Sequence, residues 1–206
     1  MSGKDTSSAR QDEILDRTIE LIREAGMAGL TMKKVAERVG FTEPAIYRHF
    51  PNKQALLLGV AGRLRGMFLG PVRAISEEPG TSPFEKIERI VAHHIGLIVD
   101  LDGIPVLLLA EATASGDGPL AEKMVEISGT YLQIVAKLAG EMPLPEGSPP
   151  ANIVVLPLMG LAAAVALQRR LLADRRISRE QALELARFVV RRLLGTELLG
   201  MEETRR

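Results

Sequence analysis

Residues 31–53, TMKKVAERVGFTEPAIYRHFPNK, place three small or apolar residues at a spacing that few folds can use. Ala36 leaves room for a second helix to cross close above it, and Gly40 can adopt the positive φ that ends the first helix. Ile46 then fills the gap between the two helices. The spacing therefore predicts a helix-turn-helix, with its lysines and arginines left on the outer surface.

Cationic residues are concentrated around this segment, although the whole chain carries 26 Lys and Arg against 26 Asp and Glu and has no formal net charge. Between Gly26 and Arg65, seven lysines and arginines stand against only two glutamates, Glu37 and Glu43. Binding to phosphates requires such a local positive field. The segment is therefore predicted to bind nucleic acid.

The region from residue 10 to residue 60 resembles the DNA-binding domain of the tetracycline-repressor (TetR/AcrR) family of transcription regulators. The resemblance rests on a glycine-rich stretch before Leu-Thr at 26–31, V-A-x-x-x-G at 35–40, A-I-Y-R-H-F at 45–50 and the Asn52-Lys53 step. It implies nine helices, with a DNA-binding domain over residues 1–52 and a ligand-binding and dimerisation domain over residues 53–206.

The composition and the periodicity predict an all-α cytoplasmic protein. Cysteine is absent among the 206 residues, which excludes disulfides and thiolate chemistry. The N-terminus has no apolar signal region, and no later apolar run is expected to stay uncharged for long enough to span a membrane. Apolar residues recur at helical spacing, and no alternating stretch of strand quality is found.

Capping residues, glycines and prolines mark the predicted helix ends. Thr31 and Thr42 are expected to cap the second and third helices, and Pro157 is expected to kink or delay the eighth. Capping boxes start the first and the last helix at Ser8 with Gln11 and Ser178 with Gln181. The later helices are predicted over 52–68, 83–101, 105–114, 119–141, 152–173 and 178–194, with 143–150 as a linker.

Four residues are predicted to hold DNA phosphates. A helix N-terminus offers free N–H groups and the positive end of the helix dipole to a phosphate, so Thr31, Lys33 and Thr42 are suited to this role. Lys53 adds a point charge at the start of the fourth helix.

The third helix is predicted to read bases. The resemblance implies that the rings of Tyr47 and His49 hold the DNA backbone. It also implies that four residues reach base edges: Glu43, Pro44, Ala45 and Arg48. Arg48 can contact guanine through two hydrogen bonds, and Ala45 can contact a thymine methyl. The alternatives are half-buried packing for Tyr47 and solvated charge for Lys34 and Arg38.

Three polar residues on apolar helix faces are candidates for an effector pocket. His94 and Tyr131 interrupt apolar stripes, and Glu111 follows leucines on one face. His93 points about 100 degrees away from its neighbour and is expected to face solvent, so the two histidines cannot share a metal. If the three residues converge, they would fix a mainly apolar ligand of drug or acyl-chain size. The remaining predicted lining is Ile90, Leu97, Ile98, Leu108, Met124 and Ile127. A core histidine bonded to a carbonyl or water is the alternative for His94.

The run NIVVLPLMGLAAAVALQRRLL, residues 152–172, is almost entirely apolar up to Gln168. It is either a central core helix or the seam of a homodimer, and the resemblance favours the seam because family members dimerise through their last two long helices. The predicted interface is Leu156, Gly160, Ala163, Ala164, Leu167, Leu183, Ala186, Val190 and Leu193.

These features favour a dimeric repressor that a small-molecule effector releases from a double-stranded, pseudo-palindromic operator. An alternative is a DNA-binding protein of the same fold without an effector, acting architecturally or through a protein partner. An enzyme using His94 and Glu111 as acid and base is disfavoured, because the sequence has no nucleophile motif and no phosphate loop. No metal or cofactor is predicted.

Overall fold

In the computed structural model, residues 3–116 and 118–195 are described, and they form an all-α fold without a strand. The first helices are α1 (Gly3–Ala25), α2 (Met32–Val39), α3 (Glu43–His49), α4 (Lys53–Glu77) and α5 (Pro83–Asp100). They are followed by α6 (Ile104–Ser115), α7 (Gly118–Gly140), α8 (Ala151–Val154), α9 (Leu156–Leu171), a 3₁₀ turn (Ala173–Arg175) and α10 (Arg179–Leu194). The all-α prediction is confirmed.

The chain packs as two compact units. The first unit comprises residues 1–66 and 104–125, and the second comprises residues 67–103 and 126–206. The boundary between these packing units lies inside α4, because the first half of α4 packs closely in the first unit. A Cβ atom at Gly59 would lie only 2.9 Å from side-chain atoms of Leu15 and Phe50. The functional division at residue 52 stays a prediction.

Several helix ends differ from the sequence prediction. Helix α1 already runs through Ser8, so the predicted capping box does not start it. The predicted box at Ser178 and Gln181 is confirmed, with both reciprocal hydrogen bonds formed. The predicted eighth helix is split into α8 and α9, with Pro157 in the first turn of α9, where a missing N–H is tolerated. With this split, residues 3–116 and 118–195 contain ten α-helices, where nine were expected.

Helix α4 continues to Glu77, nine residues beyond its predicted end, and contains Pro71. A proline cannot donate to the carbonyl four residues earlier, here that of Met67. His93, with the proton on Nε2, donates to this Met67 carbonyl at 3.2 Å. The prediction that His93 faces solvent is therefore wrong, because its ring is half-buried and satisfies the carbonyl that Pro71 leaves open.

Two helical stretches of the described residues, 53–77 and 151–171, are long and apolar enough to cross a membrane by length and composition alone. The prediction that no run has this length is wrong in that sense. In α4, however, Leu56, Val60 and Leu64 are buried, as in a core helix of a globular domain. The second stretch differs because it leaves several large apolar side chains exposed.

Replacing Gly103 with alanine is expected to destabilise the second unit. Gly103 has a φ of +77°, and an added Cβ would lie 3.0 Å from the Cβ of Ala166 in α9. The left-handed conformation and the crowding together are expected to lower the free energy of unfolding by about 2 to 4 kcal/mol in urea denaturation.

Gly62→Ala is the matched control, because Gly62 lies within α4 and nothing approaches its added Cβ within 4 Å. Alanine should raise the free energy of unfolding there by about 0.5 to 1 kcal/mol. Equal shifts in both variants would contradict the close approach of α9 to Gly103.

Candidate nucleic-acid interface and effector site

The turn between α2 and α3 is fixed by local hydrogen bonds. The Thr31 hydroxyl accepts from the backbone N–H of Lys34 at 3.2 Å, which confirms the predicted cap. At the other end, Gly40 has a φ of +76° and the N–H of Phe41 donates to the carbonyl of Ala36 at 2.9 Å. This pair of features is the Schellman ending of a helix, and it sets the direction in which α3 leaves the turn.

The two helices then pack through the residues that the sequence singled out. Ile46 is fully buried, and Ala36 is 3% exposed. Val35 is also fully buried beside them, whereas Val39 is half-buried. The burial of Ala36 and Ile46 agrees with the predicted crossing, so α3 is held rigidly against α2 with its opposite face open.

The open face carries cations that pair with no carboxylate among the described residues. Lys33, Lys34 and Arg48 are all exposed, and Tyr47 is 44% exposed rather than half-buried. Thr42 occupies the N-cap position of α3, but its side chain makes no capping hydrogen bond. Its hydroxyl thus remains available to another partner at the start of the helix.

Two other arginines of this region are engaged by carboxylates. Arg38 binds Glu24 through two hydrogen bonds, and this contact lowers the pKa of Glu24 and raises the pKa of Arg38. Arg63 binds Asp16 at 3.0 Å. Both guanidinium charges are balanced by carboxylates within the first unit. Fewer cations are therefore available to bind phosphate than the sequence count suggested.

Lys53 opens α4 and is tied to the loop after α1. Its Nζ donates to the carbonyl of Met27 at 3.4 Å, and its side chain is half-buried. The side chain of Asn52 caps α4 by accepting from the N–H of Ala55 at 2.7 Å. Lys53 therefore has a structural contact as well as its predicted phosphate contact. Of the other predicted contacts, Pro44 is exposed, while Glu43, Ala45 and His49 are half-buried.

In the second unit, His94 and Tyr131 lie together in the core. Their ring centroids are 4.9 Å apart in an edge-on arrangement, and the Phe68 ring lies 4.7 Å from His94 and 5.2 Å from Tyr131. His94 is 8% exposed and Tyr131 is fully buried. Neither the His94 Nδ1 nor the Tyr131 hydroxyl has a hydrogen-bond partner among the described residues.

Burial controls the charge of both groups. It lowers the pKa of His94 to about 3, with a smaller contribution from the neighbouring His93, and it raises the pKa of Tyr131. At neutral pH both side chains are therefore uncharged. The pair can offer hydrogen bonds to a bound molecule, but it cannot neutralise an anion.

The other predicted effector residues do not all belong to this cluster. Glu111 is only half-buried and is not without a partner, so it is not a buried polar group that needs a ligand to satisfy it. The second unit contains Ile90, Leu97, Ile98 and Ile127, of which Leu97 is half-buried and the other three are buried. The first unit contains Leu108, Glu111 and Met124.

Helix α9 exposes the apolar stripe that the sequence predicted. Leu156 and Leu167 are 45% and 53% exposed, and Gly160 and Ala164 lie open between them. Ala163 is half-buried. An apolar helix face of this length, left open in one copy of the chain, is typical of an interaction surface.

Helix α10 contributes other residues than those predicted. Ala186 and Val190 are buried within the unit, in the helix face that packs on α5. Their assignment to the dimer surface is therefore wrong. Leu183 and Leu193 are half-buried. The exposed apolar residues are Leu185 and Phe188, at 40% and 58%. The sequence alone did not distinguish these two faces because both are apolar.

Comparison with known proteins agrees with this geometry. The family model for bacterial regulatory proteins of the tetR family matches residues 14–60, which contain the whole helix-turn-helix. The chain is 42% identical over 52 residues to the tetracycline repressor protein class C of Escherichia coli, covering 25% of this chain and 24% of that protein. It is 26% identical over 123 residues to the fatty acid metabolism regulator protein of Bacillus subtilis, covering 60% of this chain and 62% of that protein.

The fold is also found in solved structures. The transcriptional regulator FadR from Bacillus subtilis, solved in complex with stearoyl-CoA, superimposes with a TM-score of 0.69 at 22% identity, over 89% of this chain and 97% of that one. The chain spans about a quarter of the tetracycline repressor and about three-fifths of the fatty acid regulator that it matches. Residues 14–60 therefore match the tetR family of bacterial regulatory proteins, and the all-α chain that carries them has the fold of the FadR structure.

Proposed function

We propose that this protein is a dimeric, cytoplasmic repressor that leaves a pseudo-palindromic operator when a mainly apolar effector binds. The observation that carries the proposal is the open face of α2 and α3, where Lys33, Lys34 and Arg48 have no carboxylate partner among the described residues. A rigid helix with unpaired cations on its outer side is suited to the major groove.

The two kinds of DNA contact are assigned to different parts of this face. Thr31, Lys33 and Thr42 lie at helix N-termini, where N–H groups and the helix dipole favour phosphate. Arg48 and the exposed ring of Tyr47 lie further along α3, where side chains can enter the groove. Specificity therefore depends on α3, whereas the α2 residues contribute mostly to affinity.

Dimerisation is assigned to the exposed apolar faces of α9 and α10. Leu156, Leu167 and Leu171 lie on one stripe of α9, and Leu185 and Phe188 face outward from α10. A two-fold dimer buries the same patch of both copies, and its operator is then a pseudo-palindrome. Half-site centres about 34 to 36 Å apart would suit two recognition helices in successive major grooves.

The effector site is assigned to the cluster of His94, Tyr131 and Phe68. Two unpartnered polar atoms inside an aromatic core are costly for stability, and a ligand that bonds to them removes that cost. Because both groups are uncharged at neutral pH, the polar part of the effector is expected to be neutral, for example a carbonyl or a hydroxyl. The likeness to the fatty acid metabolism regulator and to the stearoyl-CoA complex supports an acyl chain as the apolar part.

The same cluster favours binding over catalysis. A histidine whose pKa is about 3 is a weak base at neutral pH, and general acid–base catalysis is most efficient when the pKa lies near the working pH.

Two substitutions test the assignment of DNA contacts. Lys53→Ala should weaken binding about equally on all sequences and lower the slope of log K against log salt by about one, as expected for one lost phosphate contact. Arg48→Ala should cost roughly 1 to 3 kcal/mol on the operator and relax the preference at one base pair. Fluorescence anisotropy at several salt concentrations, with randomised sites, measures both.

Lys137→Ala is the control, because Lys137 is exposed on α7 in the second unit and its removal changes the net charge equally. It should leave the affinity and the salt slope unchanged. If Arg48→Ala keeps full specificity, or if all three variants behave alike, the proposed reading helix is not α3.

A further inference from the structure

Three arginines at the end of α9 and in the segment after it surround the carboxylate of Asp102. Arg169 Nε and Arg176 Nη1 lie 3.7 Å and 3.5 Å from Asp102 Oδ1, and Arg170 Nη2 lies 4.0 Å from Oδ2. Asp102 occupies the turn between α5 and α6 with a φ of +49°. We call these four residues the Asp102 cluster.

The cluster lacks the hydrogen bonds that such a group of charges normally forms. All three nitrogen–oxygen distances are longer than the range of about 2.7 to 2.9 Å that is usual for charge-assisted bonds. Asp102 Oδ1, Arg169 Nε and Arg170 Nη2 are buried and have no hydrogen-bond partner among the described residues. These three atoms therefore have unused hydrogen-bonding capacity, although they have almost no exposed surface.

The charges of the cluster are also unbalanced. Three guanidinium groups stand against one carboxylate, which leaves an excess of two positive charges. The nearby Asp100 is already bound to Arg179 at 3.1 Å. Asp174, in the 3₁₀ turn, is exposed and pairs with no cation among the described residues.

Backbone contacts hold two of the arginines in place. Arg169 Nη1 donates to the carbonyl of Ile177 at 2.8 Å, and Arg170 Nε donates to the carbonyl of Asp102 at 2.9 Å. Their remaining N–H groups are directed by these bonds before any ligand arrives. Such preorganisation reduces the entropy that binding would otherwise cost.

We propose that the Asp102 cluster binds a phosphate-type oxyanion. A phosphate dianion matches the excess charge, and its oxygens can accept from planar guanidinium groups in pairs. A water molecule could supply hydrogen bonds but would leave the charge unbalanced. The anion would link the end of α9 to the turn after α5, close to the contact between Gly103 and Ala166. Its source is either inorganic phosphate or the phosphate group of a larger metabolite.

The test is a titration of the full-length protein with inorganic phosphate at constant ionic strength, followed by calorimetry and by the melting temperature. Saturable binding with a rise in melting temperature is expected. Arg176→Gln, which alters the most exposed of the three arginines, should weaken phosphate binding at least tenfold. Arg175→Gln is the control, since this exposed neighbour removes the same charge without touching Asp102.

The variant Asp102→Asn distinguishes a ligand-binding site from a purely structural cluster of ion pairs. Asparagine has nearly the same shape and tolerates a positive φ. Without the competing carboxylate, phosphate should bind several-fold more tightly and restore the melting temperature that the variant loses. A purely structural cluster would show the loss of stability without this recovery by phosphate.

A parallel titration with coenzyme A identifies the source of the phosphate group. Binding of coenzyme A tighter than phosphate, and weakened by Arg176→Gln, supports a phosphorylated metabolite; phosphate binding alone supports the free ion. The proposal is overturned if neither probe binds saturably, or if Arg175→Gln weakens binding as much as Arg176→Gln. It is also overturned if Asp102→Asn gains no affinity.

Discussion

Leu167→Glu is expected to turn the dimer into a monomer and to abolish tight operator binding. Leu167 is 53% exposed on the apolar stripe of α9, between Ala164 and Leu171. In a two-fold interface, one substitution places two carboxylates in a dehydrated seam, and an unpaired buried charge costs several kcal/mol. Sedimentation equilibrium should show a shift of the dissociation constant by several orders of magnitude.

Operator binding follows from the same change. A monomer holds only one half-site, so its affinity for the full palindrome should fall to its affinity for an isolated half-site. The circular dichroism spectrum should keep its helical signal, because the Leu167 side chain is exposed within one copy of the chain.

Val125→Glu is the matched control for this experiment. Val125 is 68% exposed and lies on α7, away from the stripe in sequence. It should remain a dimer with normal operator affinity. A Leu167→Glu protein that sediments as a full-strength dimer would place the interface elsewhere, and monomers from both variants would indicate a general loss of folding.

Local chemistry explains why the helix-turn-helix could be predicted from the sequence. The cap at Thr31, the positive φ at Gly40 and the buried Ile46 depend on residues within a few positions of one another. Sequence spacing records such short-range requirements directly. The open cationic face of α2 and α3 follows from the same spacing.

Tertiary partners explain most of what could not be predicted. His93 was assigned to solvent from its helix face, but the carbonyl that Pro71 leaves open lies on another helix. In the same way, Ala186 and Leu185 are adjacent apolar residues of α10, and only the packing on α5 decides which one is buried.

The Asp102 cluster shows a further limit of sequence patterns. Its arginines come from a run, RRLLADRR at 169–176, that suggests solvated charge. The carboxylate lies 67 residues before Arg169, in a turn that the sequence did not associate with them. No periodicity within either segment signals that the two meet.

His94→Leu is expected to keep the fold and operator binding but to remove the response to the effector. The buried Nδ1 has no partner, so replacing the ring by an apolar group of similar size should be neutral or stabilising by about 1 to 2 kcal/mol at pH 7. Tyr131→Phe should behave alike, because it removes only the unpartnered hydroxyl. With stearoyl-CoA as an acyl-chain probe, either variant should need at least tenfold more ligand for release from the operator, as one lost hydrogen bond of about 1.4 kcal/mol predicts.

His93→Leu is the control on the neighbouring residue, and its expected effect on stability has the opposite sign. It removes the donor to the Met67 carbonyl and should lower the free energy of unfolding by about 1 to 3 kcal/mol. If His94→Leu loses as much stability as His93→Leu, the Nδ1 of His94 has a partner in solution and the pocket assignment fails.

The pH dependence of stability gives an independent measure of His94. Its pKa is about 3 in the folded chain and about 6.5 when unfolded, so the unfolded state binds the extra proton between these values. Wild-type stability should therefore fall as the pH drops below about 6.5, by about 1.4 kcal/mol per unit from this residue alone. His94→Leu should show a slope that is smaller by this amount between pH 6 and pH 5 in urea denaturation. Equal slopes in the two proteins would mean that His94 is protonated in the folded state, and the neutral effector site inferred from it would then be wrong.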